Sequence, residues 1–177
     1  MKRLLFCILV MSFWVSKAQE KWVLNSEKSL ITYEASHFLH DWAGGNENIK
    51  GVLIEKDGVF QKIAIAMYLR DFDSKNSNRD NNALEILEVL KFPKIEFFSD
   101  QIEKNNEKVN FAGGMSFHGI ELEKKIIAQA SGKKNNLLLD GSFKLTLSDF
   151  QVPLPSFMLR KMEDEILIKY ELYFNKQ

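Results

Sequence analysis

The stretch Lys75–Ile102, KNSNRDNNALEILEVLKFPKIEFFSDQI, changes period half-way along. As far as Leu90 its apolar residues recur every three or four positions. Ala83, Ile86, Leu87 and Leu90 follow the i, i+3, i+4, i+7 spacing of an amphipathic helix, while Glu85 and Glu88 point elsewhere. Asn78, Asp80 and Asn81 offer capping side chains and an acidic first turn. Phe92-Pro93 is expected to end the helix, because the residue before proline is pushed out of the helical region. Beyond it, KIEFFSDQI is short, aromatic and strand-like. A single amphipathic helix among strands must lay its apolar face on something. A barrel end or a sheet face is the expected recipient, with Leu87 and Leu90 buried there.

Outward from this stretch the chain is a succession of short strand-like runs. SLITYEASH (Ser29–His37) is rich in β-branched and aromatic residues, and DWAGGNEN after it reads as a turn. IKGVLIE leads to Asp57-Gly58, a tight-hairpin signal. The next run puts Ile63, Ile65, Met67 and Leu69 on one face, with Lys62, Ala64, Ala66 and Tyr68 on the other. KIEFFSDQIE and KVNFAGGMSFHG are separated by an Asn-containing turn at Lys104–Glu107, and Gly113-Gly114 reads as a bulge or a close approach of strands. ELEKKIIAQAS, the turn GKKNN, and a run with Phe143, Leu145 and Leu147 on one face follow. The last run sets Ile166, Ile168, Tyr170, Leu172 and Phe174 against Leu167, Lys169, Glu171 and Tyr173. Roughly eight strands at regular spacing point to an all-β antiparallel sandwich or barrel, interrupted by one helix.

The N-terminus has a different character. MKRLLFCILVMSFWVSKAQE carries Lys2 and Arg3, an apolar run from Leu4 to Val15, and small residues at Ser16 and Ala18. That is the pattern of a secretory signal peptide, residues 1–18, cut after Ala18, with a core too short to span a bilayer. The remaining 19–177 suit one domain. The leader takes three of the 24 basic residues and none of the 24 acidic ones, leaving a net charge of −3. No cluster of Lys or Arg along the sequence suggests binding to nucleic acid or to an anionic membrane, and no stable membrane insertion is expected. Cys7 is the only cysteine, so the processed chain has neither a disulfide nor a thiol nucleophile. The expected location is the periplasm or the cell exterior.

Three stretches in order resemble the YceI-like, polyisoprenoid-binding family. Arg79-Asp80, Phe92-Pro93, Ile95 and Phe97-Phe98-Ser99 resemble its central signature, in which Arg-Asp opens a helical segment before a Tyr/Phe-Pro and a Phe-x-Ser strand. SLITYEASH is similar to its first strand, and VNFAGGMSFHGIELE to its glycine-containing hairpin, with Phe117, His118 and Gly119 in register. Asn82 stands where the family often has histidine. The resemblance spans nearly all of the processed chain. It implies a lipocalin-like eight-stranded antiparallel β-barrel with one short amphipathic α-helix, and an elongated apolar cavity for an isoprenoid or fatty-acid-like lipid.

On that basis the expected lipid-binding residues are the inward-facing Ile63, Ile65, Met67, Leu69, Phe97, Phe111, Met115, Phe117, Phe143, Leu145, Ile168, Tyr170 and Leu172, with Leu87 of the helix. Phenylalanine is abundant, 14 in the chain with only Phe6 and Phe13 in the leader, and Met67 and Met115 are adaptable side chains. An ordinary packed core would show the same alternation. Arg79 is a candidate contact for an anionic head group, against the plainer reading in which Asp80 caps the helix and Arg79 pairs with a local carboxylate. Trp42 suits the mouth. His37 and His40 are an odd number apart and on a strand would face opposite sides, so no metal site is expected. No catalytic motif is present, so neither enzyme activity nor a cofactor is expected. The leading expectation is an exported lipid carrier or sequestering protein, with a homodimer left open. The alternative is a filled barrel acting as a secreted interaction or stress-response module, with Tyr68, Phe98 and Tyr173 on its outer face.

Overall fold

The computed structural model describes residues 19–157 and 159–177, so the expected signal peptide lies outside the described residues. The strands are β1 (Glu20–Leu24), β2 (Leu30–His37), β3 (His40–Asn46), β4 (Ile49–Lys56), β5 (Val59–Tyr68), β6 (Lys94–Asn105), β7 (Lys108–Phe117), β8 (Ile120–Lys133), β9 (Asn136–Thr146), β10 (Ser156–Phe157), β11 (Arg160–Lys161) and β12 (Glu165–Lys176). One α-helix, α1 (Ser77–Ile86), stands between β5 and β6.

The sheet runs β1-β4-β5-β6-β7-β8-β9-β12 and closes through a β1–β12 pairing, an eight-stranded antiparallel barrel. Two of its staves are broken. β1 and β2 lie end to end along the same edge of β12, which pairs Phe174 with Leu24 and Tyr170 with Ile31. β4 continues the barrel beside β1, and β3 pairs with β2. Beyond β4, the far edge of β3 finds a single bridge, Gly45 to Asp73, held by two backbone hydrogen bonds of 3.0 and 2.9 Å. β5 has ended by then, at Tyr68. The segment from Leu69 to Phe92, with α1 in it, occupies the gap. That is why a strand-rich chain forms a helix at this point.

Alternation puts the apolar set inside. Val109, Phe111, Met115 and Phe117 of β7 are buried, as are Ile166, Tyr170, Leu172 and Phe174 of β12. Asp57 (φ 55°) and Gly58 (φ 79°) form the expected tight turn between β4 and β5. The β6–β7 pairing slips between Phe98 and Gln101, so Ser99 and Asp100 face Gly113 alone in a β-bulge. The buried Ser99 hydroxyl donates to the Ala112 carbonyl at 2.7 Å and ties the bulge down.

Several expectations are corrected. DWAGGNEN is not a turn: it belongs largely to β3, and the chain reverses earlier, at Phe38-Leu39. His37 and His40 therefore pair directly across the hairpin, ring centroids 6.4 Å apart, instead of facing opposite sides. Helix α1 is capped by Asn76, whose side-chain oxygen accepts from the Arg79 amide at 3.1 Å. It ends at Ile86, four residues before Leu90 and well before Pro93. Glu88 adopts a left-handed conformation (φ 45°), Val89 N donates to Leu84 O, and Glu88 N donates to Glu85 O. This is a Schellman ending built on a non-glycine residue. Leu90 falls outside it and is fully exposed.

The bulge gives a contrast between adjacent glycines. A Cβ at Gly113 would lie 2.1 Å from the Phe98 carbonyl oxygen, which is backbone and cannot rotate away. At Gly114 the obstacle is the Glu121 carboxylate at 2.5 Å, the end of an exposed, flexible side chain. Gly113→Ala should cost about 3 kcal/mol in urea unfolding and Gly114→Ala under about 1 kcal/mol. Equal costs would refute this account of the bulge.

Candidate ligand cavity

Two adjoining apolar chambers lie within the barrel and at its open end. The inner one, about 100 Å³, is walled by side chains from β2, β5, β6, β7, β8, β9 and β12, and by Phe72. The outer one, about 620 Å³, lies between the open end of the barrel and α1. Phe72, Ile95, Leu145 and Ile168 line both and stand at the boundary between them. The outer volume falls within the roughly 300–1,000 Å³ usual for small-molecule sites. Met67, Phe72, Ile95, Phe143 and Ile168 are only partly buried although they line the interior.

Each residue expected to line the lipid site or meet the head group borders one chamber or the other, whereas Leu90, expected to be buried beside Leu87, borders neither. Ile63, Ile65, Met67, Phe97, Phe111, Met115, Phe143, Tyr170 and Leu172 line the inner chamber, and Leu145 and Ile168 line both. Leu69, Leu87 and Phe117 line the outer chamber with Arg79 and Trp42. The sequence reading missed Phe72, in the irregular segment after β5, and Ile31, which faces the inner chamber from β2. It also missed the wall made by Val152, Pro153, Pro155 and Met162 around the short β10–β11 hairpin. That segment has no alternation to betray it. Only its run of apolar residues, VPLPSFM, gave a signal.

The inner chamber is dry by construction. Its one polar side chain is Tyr170, whose hydroxyl donates to the Ile127 carbonyl at 2.8 Å. To reach β8 the ring lies across β9 at Gly141, where a Cβ would sit 2.6 Å from the hydroxyl. Burial, with the charge of Asp140 second, pushes the phenol well above the ordinary tyrosine range, so it stays a neutral donor.

Polarity is confined to the outer chamber. Asn76, Asn78, Arg79, Asp80, Asn82 and Glu85 of the helical segment reach its rim. The Arg79 guanidinium lies over the Trp42 ring, 5.6 Å from its centroid, rather than pairing with a carboxylate. Asp80 is not the cap. Its carboxylate accepts from the Ser74 amide at 3.2 and 3.3 Å, which ties the loop before α1 to the helix. Tyr33, beside this group, has its phenol pushed up by burial and by the charge of Asp80, with Arg79 opposing. Trp42 stands within β3. His37 Nε2–H donates to the Arg160 carbonyl at 3.2 Å, joining the β2–β3 and β10–β11 hairpins. At the other end of α1, the buried His118 makes a hydrogen bond through Nδ1 to the Phe150 carbonyl, and its Nε2 lies 3.5 Å from Glu88.

The family of YceI-like domains matches residues 22–174. This chain belongs to that family. Among curated relatives, a UPF0312 protein of Enterobacter sp. (strain 638) is 24% identical over 139 residues, 71% of each chain. A UPF0312 protein of Yersinia enterocolitica is 25% identical over 139 residues, again 71% of each. Among solved structures, Burkholderia cenocepacia BcnA superposes with a TM-score of 0.77 at 15% identity, over 85% of this chain and 98% of its own. A polyisoprenoid binding domain from Saccharophagus degradans, implicated in plant cell wall breakdown, gives 0.71 at 7% identity, over 88% and 98%. The Campylobacter jejuni YCEI protein gives 0.66 at 20% identity, over 76% and 84%. The YceI-like barrel is therefore the fold of this chain.

Tyr170 tests how the interior is held. Tyr170→Phe should orphan the Ile127 carbonyl and cost about 1–2 kcal/mol in denaturant unfolding. Retained stability would mean the hydroxyl does not anchor β12 to β8.

Proposed function

We propose that this protein is an exported lipid-binding barrel that carries or sequesters an isoprenoid or another long-chain amphiphile. The observation that carries the reading is the pair of adjoining chambers, apolar at the bottom and polar only at the rim, whose four shared residues would form the neck for a lipid chain. A flexible hydrocarbon chain ending in a polar group has that same division. The Saccharophagus degradans neighbour, described as a polyisoprenoid binding domain, supports the ligand class. The leader-like residues 1–18 support export to the periplasm or beyond.

The driving force is burial. Each methylene removed from water contributes roughly 0.8 kcal/mol. About a dozen buried carbons contribute roughly 10 kcal/mol, the same order as the roughly 4–15 kcal/mol lost to association. Arg79, already held against Trp42, is the cation nearest the rim for an anionic head, and the asparagines around it supply neutral hydrogen bonds. The inward-facing side chains expected from strand alternation then serve as the hydrocarbon wall, with Ile168 and Leu145 at the neck.

Native mass spectrometry of protein purified from its own cell envelope should show a long-chain lipid released on denaturation. Ile168→Phe narrows the neck, and the variant should keep its melting temperature within a few degrees while retaining less lipid or a shorter chain. Absence of lipid from the native protein, and no uptake on addition, would sink the proposal.

A further inference from the structure

The open end of the barrel carries large apolar side chains that the fold does not use. Phe38 and Leu39 form the β2–β3 turn and are 47% and 51% exposed; Leu90, after α1, is 101% exposed, and Leu159, in the β10–β11 turn, is 103% exposed. Turn tips ordinarily take Gly, Asn, Asp or Ser. Leu159 moreover has φ 65°, a left-handed backbone unsuited to leucine. Position 159 thus combines strain with full exposure and returns no packing to the barrel.

These tips share the end of the barrel where α1 covers the outer chamber. Residues a few positions from each tip, Ala35 and Trp42, Leu87, and Pro155 and Met162, line that chamber. The two hairpins form one surface. The Arg160 guanidinium lies over the Phe38 ring, 4.7 Å from its centroid, and the Glu163 amide donates to the Ser36 carbonyl at 3.0 Å. Cations stand beside the tips: Arg160, which also covers Phe38, and Lys161 follow Leu159, and Lys91, 3.9 Å from the exposed Glu88 carboxylate, follows Leu90.

Apolar tips from three separate segments, flanked by long cationic side chains, fit a fluid surface with an apolar interior and phosphates at its boundary. We propose that the rim of Phe38, Leu39, Leu90 and Leu159 docks reversibly onto an anionic lipid bilayer, with Lys91, Arg160 and Lys161 against the phosphate head groups. Docking there places the mouth of the outer chamber against the membrane. It goes beyond the lipid-binding reading and rests on the rim alone, not on what the cavity holds.

The test is flotation of the purified protein with phosphatidylcholine vesicles, with and without phosphatidylglycerol. The protein should float with both kinds, and more strongly with the anionic ones. The triple variant Leu39→Ser, Leu90→Ser, Leu159→Asn should lose about tenfold or more of that affinity. Its melting temperature should be unchanged or raised, because exposed positions are replaced and asparagine suits a left-handed backbone. Lipid held in the cavity, measured in the same samples, should not change. The proposal is overturned if the protein does not float, if the variant floats as well as the parent, or if the variant converts a dimer to a monomer, which would make the rim a protein interface. A protein that floats but contains no cavity lipid supports the rim and counts against the cavity reading alone.

Discussion

β12 is the constraint on which the rest of the barrel depends. It pairs with β9 over eleven consecutive positions and offers its other edge to two separate strands, β1 and β2. Closure through a divided partner means the ring is complete only at the β1 end. At the β2 end, β3 continues past the last residue of β5 with nothing to pair with except Asp73. A closed barrel abolishes its edges. This one abolishes them at one end and leaves a gap at the other. The helix, the outer chamber and the polar rim all sit in that gap.

Strand alternation made most of the barrel legible in the sequence. Period-two runs on β5, β7, β9 and β12 identify inward residues directly, because a side chain's face follows from parity alone. The broken staves were illegible for the same reason. β3 reads as a turn because Gly44, Gly45 and Asn46 are loop residues by composition; in the fold, Tyr33 packs so closely on Gly44 that a Cβ there would lie 2.5 Å from its ring. β1, with Trp22 and Leu24 inside, is too short to show a period. The helix was recognisable but its end was not. Pro93 is the visible stop signal, whereas the actual ending depends on Glu88 taking a left-handed backbone that glutamate does not advertise.

Glu88 shows how the two ends of the helical segment are fixed differently. At the start, Asn76 and Asp80 satisfy backbone amides locally, through contacts legible within a few residues. At the finish, the Glu88 carboxylate lies near His118, and Phe92 packs edge-on against the same imidazole. His118 and Gly119 form the β7–β8 turn, and a Cβ at Gly119 would meet Phe92 at 2.4 Å. The family-like residues Phe92, His118 and Gly119 are thus one contact, seating the helical segment on the barrel.

The cavity and the exposed rim follow from a single imbalance. A barrel of eight strands has an interior that side chains can just fill. Here the strands near α1 present Ile95, Leu145, Ile166 and Ile168 to a helix that stands off from them, and the space between stays open. Bringing α1 down would close the outer chamber, but its segment is tied to the barrel on both sides, by the Gly45–Asp73 bridge before the helix and by Phe92 against His118 after it. The helix therefore roofs the chamber without filling it. A molecule entering the chamber meets a preformed apolar wall and need not displace the protein's own side chains, which keeps the reorganisation cost of binding low.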